Sequence, residues 1–163
     1  MKRYLLCLLA LCLLCGLLCA CGEEPGEAKP ALPDGETLAA ELLASGAFSD
    51  TLEPADVKIG CYLYGLAESD AQSMHFRLSS GATAEEIAVF RCADEASAQR
   101  VEAAAKARLD YQRESFGDYV PEELPKLEKA VLRREGSCVL LCVAADYAAV
   151  SAVLDAYDWT AGA

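Results

Sequence analysis

The run from Cys138 to Ala145 constrains this chain more than any other stretch, because every residue in it is apolar. Successive side chains of a strand point to opposite faces of a sheet. A strand apolar on both alternations therefore reads as a central one. Glu135-Gly136 stands ahead of it as a two-residue connection, with Gly supplying the positive φ of a hairpin back to Ala130–Arg134. Earlier, Met74, Phe76 and Leu78 alternate with His75 and Arg77, the period of a half-buried strand. Ser79-Ser80-Gly81 turns the chain, and Ile87 to Cys92, apolar except for Arg91, reads as its antiparallel partner.

Helices fit between and around these strands. Asp34 is placed to cap a helix through Leu38, Leu42 and Leu43 that ends at Gly46. Asp94 opens a long helix whose stripe is Ala98, Val101, Ala105, Leu109 and Phe116, with Glu102 four residues before Lys106 on the exposed side. Gly117 and Asp118 should break it. Pro121 begins a short piece with Glu122 and Glu123 in its first turn, limited by Pro125. Asp146 caps a last helix carrying Tyr147, Val150, Val153, Leu154 and Tyr157. Residues 49–71 are the least patterned. Pro54-Ala55-Asp56 suits a helical turn or a bend, and Ile59 to Tyr64, rich in β-formers, suits a short strand stopped by Gly65. The expected fold is α+β: an antiparallel sheet of about four strands covered on one face by helices.

The chain opens differently. Lys2 and Arg3 precede an uncharged, Leu-rich run from Tyr4 to Ala20, the order of a secretory signal. Leu18-Cys19-Ala20-Cys21 resembles the bacterial lipobox, with Cys19 where Ala or Ser is more usual. The resemblance implies that Cys21 takes a diacylglyceryl group on sulfur and becomes the first residue after cleavage. The run is also long enough to serve as a membrane helix, which needs roughly 20 apolar residues. Lys2 and Arg3 would then still leave the following domain outside. Three segments follow: a signal over 1–20, an acylated Cys21 with an acidic tether over 21–35, and a single domain over 36–160. Gly22 to Pro33 has no apolar period, so nothing there offsets the entropy of ordering.

A net charge of −12 argues against nucleic acid as a partner and against lying flat on anionic lipid. It keeps the domain soluble and leaves open a cation or a basic partner.

Gly81 to Phe90, Arg108-Leu109-Asp110-Tyr111-Gln112, Phe116 to Glu123, and Lys129-Ala130-Val131 leading into the Gly136 hairpin are together similar to the domain-of-unknown-function family 4358 of bacterial lipoproteins. The likeness runs over roughly residues 50 to 157. It implies a lipobox start and an exported α+β domain. It supplies no catalytic residue.

The chemistry-bearing residues are sparse. His75 is the only histidine and sits on the polar side of its strand. A Cys–His pair would need Cys61 or Cys92 beside it. Of nine cysteines, only Cys61, Cys92, Cys138 and Cys142 lie beyond Cys21. They permit two disulfides, but their apolar settings suit buried thiols. Cys138 and Cys142 share a strand face about 13 Å apart, too far for a disulfide and poor for one zinc ion. Glu85 and Glu86 point opposite ways on a strand and do not converge on one ion. Tyr111, Phe116 and Tyr119 either line a groove beside the sheet or seal the helix end. No phosphate-loop, dinucleotide or nucleophile-elbow motif occurs in the chain.

The expected activity is non-enzymatic: a lipid-anchored extracytoplasmic module that binds a protein, peptide or envelope component, held to the membrane through Cys21. No metal or cofactor is expected. An envelope hydrolase or thiol enzyme, and a small-ligand binding lipoprotein, are the alternatives.

Overall fold

Three aspartates set the helical frame. Asp34, Asp94 and Asp146 each accept backbone N–H groups of the first helical turn, satisfying donors that a helix leaves unpaired. The structure, a computed structural model, describes residues 28–161. In order it contains α1 (Gly35–Ala44), β1 (Glu53–Ala55), α2 (Val57–Tyr64), β2 (Ser73–Leu78), β3 (Glu86–Arg91), α3 (Glu95–Tyr119), α4 (Leu124–Glu128), β4 (Val131–Glu135), β5 (Cys138–Val143) and α5 (Tyr147–Asp155). The strands form one antiparallel sheet in the order β1-β2-β3-β5-β4. The fold is α+β, as the sequence indicates.

The sheet has five strands rather than about four. The addition is β1, which pairs with β2 alone. Pro54 sits there because only an edge strand spares a backbone donor. The hairpin before β5 turns on Gly136-Ser137, one residue later than expected, since Glu135 still pairs with Cys138. Gly136 takes the positive φ of 50°.

Helices cover both faces of the sheet, not one. On the first, Cys61 and Tyr64 of α2 and Ala98, Val101, Ala105 and Leu109 of α3 pack on Phe76, Ala88, Phe90, Val139 and Leu141. On the second, Leu38 and Leu42 of α1 and Val150 and Leu154 of α5 pack on Ile87, Val89, Leu140 and Cys142. All six residues of β5 are buried, as a strand with a helical layer on each side requires.

Ile59–Tyr64 is helical, not a strand. Asp56 accepts from the Lys58 N–H at the start of α2, and Gly65 closes it at a left-handed φ of 65°. The β-forming residues yield here to packing: Cys61 and Tyr64 fall on one helical side and are buried, while Tyr62 turns outward. Gly60 allows that side to press against Phe76. Helix α3 runs through Gly117 and ends at Tyr119, where Val120, the residue before Pro121, leaves the helical region.

Residues 30–33, read from the sequence as tether, are docked. Ala31 bridges Asp158, the Asp158 N–H donates to the Pro30 carbonyl at 2.8 Å, and Arg91 donates to the Pro33 carbonyl at 2.5 Å. No described helix is long and apolar enough to cross a membrane. The signal run and Cys21 lie outside the described residues.

Candidate functional site

The entrance to β3 places two consecutive carboxylates on opposite sides of the sheet. Glu86 faces α2 and α3. It accepts from Tyr64 Oη at 2.8 Å, from Arg108 Nη2 at 2.9 Å and from Gln112 Nε2 at 3.2 Å. Burial pushes the Tyr64 hydroxyl well above its ordinary range, and Glu86 adds to the effect. Burial alone would lower Arg108, but the adjoining Glu86 carboxylate outweighs it and holds the guanidinium firmly charged. Gln112 Oε1 is the one buried side-chain polar atom among the described residues without a hydrogen-bond partner.

Glu85 turns the other way and organises loops. It accepts from the Ser49 N–H at 3.0 Å, Ser49 Oγ at 2.6 Å and the Asp50 N–H at 2.9 Å, and it pairs with Lys126 at 2.9 Å. Lys126 also pairs with Glu123, whose other oxygen accepts from the Ala84 N–H. Burial would raise Glu85, yet these hydrogen bonds outweigh it and hold its carboxyl below the usual range. Glu123, expected to serve helix electrostatics, is instead a buried link between α4 and β3. Both carboxylates are fully engaged by neighbours, so their chemistry is cohesion. Buried charges require such partners.

The surface above Glu86 carries one of two open grooves of similar size among the described residues; the other is lined by Val57, Glu68 and Gln72 to His75. Tyr62 and Leu63 of α2 and Arg108 and Tyr111 of α3 line a groove of about 320 Å³. Its walls are exposed tyrosines: Tyr62 is 85% and Tyr111 63% accessible. Arg108 forms the floor, anchored from beneath by Glu86. Farther along α3, Tyr119 is 81% accessible. Of Tyr111, Phe116 and Tyr119, only Tyr111 borders this groove: Phe116 packs toward the core, Tyr119 lies beyond the groove, and Tyr62 supplies the other wall. Tyr62 was not legible, because its segment read as a strand.

His75 does not meet a thiol. Its Nδ1 lies 3.3 Å from Glu36 beside α1, whereas Cys61 and Cys92 pack on the other face of the sheet. The four cysteines are buried as free thiols, Cys61 with its sulfur 3.4 Å from that of Met74. Burial raises all four, Cys92 to about 11. Cys138 and Cys142 fill the face beneath α1 and α5. No group of three potential metal ligands occurs among the described residues.

Residues 44–144 match the family described as "Domain of unknown function (DUF4358)". The chain belongs to this family. The matched region begins just before the Glu85-bound loop and ends after β5, so it takes in the entire sheet, α2, α3 and both carboxylate networks. It is shifted toward the N-terminus from the span of the resemblance and leaves out α5. The segments that carry that resemblance supply Glu85, Glu86, Arg108, Gln112 and Glu123, while Ser49, Asp50, Tyr64 and Lys126 of the same networks lie outside them. No match was found among curated proteins or among solved structures.

Proposed function

We propose that this DUF4358 protein is a lipid-anchored extracytoplasmic module that docks a protein partner at the cell envelope without catalysing a reaction. The observation that carries the docking reading is the pair of exposed tyrosines, Tyr62 and Tyr111, held by two separate helices across one groove. Tyrosine offers large contact area at little entropic cost and is enriched where proteins meet. The floor is pre-set, because Glu86 fixes Arg108 before anything binds. Small-molecule sites usually bury most of their ligand. Walls as accessible as Tyr62 and Tyr111 suit a protein surface better. The anchoring reading rests on the Leu18-Cys19-Ala20-Cys21 motif.

The test is photo-crosslinking in cells that make the full chain. A photoreactive residue in place of Tyr62 should give discrete protein adducts that disappear when Tyr111→Ala is added. The same residue in place of Tyr147, an exposed tyrosine of α5 on the opposite layer, should not give them. Identical adducts from both positions, or none from position 62, would overturn the docking reading.

A further inference from the structure

We infer that the part of the partner protein that enters the tyrosine groove is its C-terminus, with the terminal carboxylate on Arg108 and an apolar last side chain beside Leu63. This deepens the docking reading above and rests on it. Arg108 lines the groove, and its side chain is only 12% accessible. A guanidinium carries five N–H donors in one plane, and two neighbouring nitrogens can grip both oxygens of a carboxylate. Glu86 takes one edge of that plane: Nη2 donates to it at 2.9 Å and Nε at 3.3 Å. Nη1 donates to nothing among the described residues. Nor is it sealed in, because the buried side-chain polar atom left without a partner among them is Gln112 Oε1. The Nη1 side of the fork is therefore open to solvent where Arg108 lines the groove.

Glu86 does not use up Arg108. Its carboxylate also draws on Tyr64 Oη and Gln112 Nε2, so the guanidinium is shared. Around the groove the other charges balance: Lys58 stands one turn before Tyr62 on α2, Glu114 one turn beyond Tyr111 on α3, and Asp110 pairs with Arg113. Arg108, the one charged residue of the lining, thus sets the sign of the complement. Two features favour a chain end over an internal acidic side chain. A groove of about 320 Å³ is at the small end for ligand clefts and has no room for a length of backbone. Leu63 and the rings of Tyr62 and Tyr111 adjoin the guanidinium, and a last residue brings a carboxylate and an apolar side chain on one Cα. A Glu or Asp side chain would satisfy Arg108 alone. The net charge of −12 opposes an acidic run reaching past the groove, whereas a terminus needs a single negative charge at the contact.

The experiment extends the crosslinking of the full chain in cells. Adducts formed through position 62 are digested, and mass spectrometry reads the partner fragment joined to them. That fragment should contain the partner's C-terminus. Internal fragments alone would overturn the inference and leave the docking reading standing, while no adduct at all would overturn both. The chemistry is then read by NMR on the full chain in detergent micelles, isotope-labelled at the arginine nitrogens. Three probes are titrated: acetyl-Gly-Leu with a free carboxylate, its C-terminal amide, and acetyl-Glu-Leu amide, which carries the same charge on a side chain. The Arg108 guanidinium signals should move with the first, at an affinity about tenfold or more above the other two. Arg108→Lys keeps a charge beside Glu86 but loses the fork, and should abolish the preference for acid over amide. Tyr62→Ala, at an 85% accessible position and so tolerated by the fold, should weaken the free acid as well. Equal binding of acid and amide, preference for the Glu side chain, full affinity in Tyr62→Ala, or no binding by any probe would overturn the inference.

Discussion

The ring of Phe76 occupies the place where a side chain at Gly60 would begin: an ideal Cβ there would lie 2.2 Å from Phe76 Cε2. The ring cannot retreat easily, because it packs edge-on to Phe90 and tilted to Tyr64, with centroids 5.4 and 5.6 Å away. Replacing glycine by alanine within a helix ordinarily adds about 1 kcal/mol. Gly60→Ala should instead destabilise the domain, since overpacking costs about 1 to 3 kcal/mol and more where nothing moves. Urea unfolding measures the sign. A gain in stability would show that α2 slides freely on β2.

Glu85 has its carboxyl held below the ordinary 4.5 by Ser49, Lys126 and Asp50. A depressed folded value means that the contribution is complete above the unfolded value and fades as pH falls through the folded one. Wild type and Glu85→Gln should therefore differ most in stability near neutral pH, and the gap should narrow below about pH 4.5. A gap constant from pH 7 to pH 3 would show that the carboxylate charge is not what holds the Ser49 loop.

Leu140 is fully buried on β5, between β3 and β4, beneath α1 and α5. Leu140→Ala should cost about 2 to 5 kcal/mol through lost burial and a cavity. Chemical denaturation gives the value, and a loss under about 0.5 kcal/mol would mean that the second helical layer collapses into the space.

The thiols of Cys61, Cys92, Cys138 and Cys142 are buried and raised by burial. They should react with a thiol reagent near neutral pH only as fast as the domain opens, because the thiolate is the nucleophile. Mass spectrometry of native and urea-unfolded protein reads this. Rapid labelling of the native domain at Cys92 would contradict its packing. Reductant and chelator should each leave the melting temperature unchanged to within a degree or two, and a drop of about 5 °C would signal a contribution of roughly 1 kcal/mol.

Anchoring turns on one atom. On the proposed anchoring, Cys21→Ser removes the sulfur of the lipobox-like motif, so the variant should remain as unprocessed precursor without diacylglyceryl. Metabolic labelling with a fatty acid and gel mobility decide it. Processed, lipid-labelled Cys21→Ser protein would rule out that residue as the site.

Local signals carried much of the fold. Asp34, Asp94 and Asp146 cap helices because their side chains reach N–H groups in the next turn, a contact written within a few residues. The second covering layer was also implicit. A β5 without polar alternation requires shelter on both faces, and β3 repeats the pattern. Helix α2 was hidden because Ile59, Tyr62 and Tyr64 favour strands locally, while the contact that decides the matter is Gly60 against Phe76, distant in sequence. The groove was half visible for the same reason: Tyr111 lies on an obvious helix, Tyr62 on a disguised one. The separate partners of Glu85 and Glu86 were beyond reach, because Ser49, Tyr64, Arg108 and Lys126 converge on them only through the tertiary fold.

The clasp between Ala31 and Asp158 sets a route for mechanical load. Any tug transmitted from the chain ahead of Pro30 arrives first at the Pro30–Asp158 hydrogen bond and at the grip of Arg91 on the Pro33 carbonyl. From there it divides between the residues that follow α5 and the far end of β3, a strand paired on both sides. The short edge strand β1 is left out of that route. Drag on the domain, were it tied to a membrane as proposed, would thus be borne by its best-paired strand rather than unzip its weakest one.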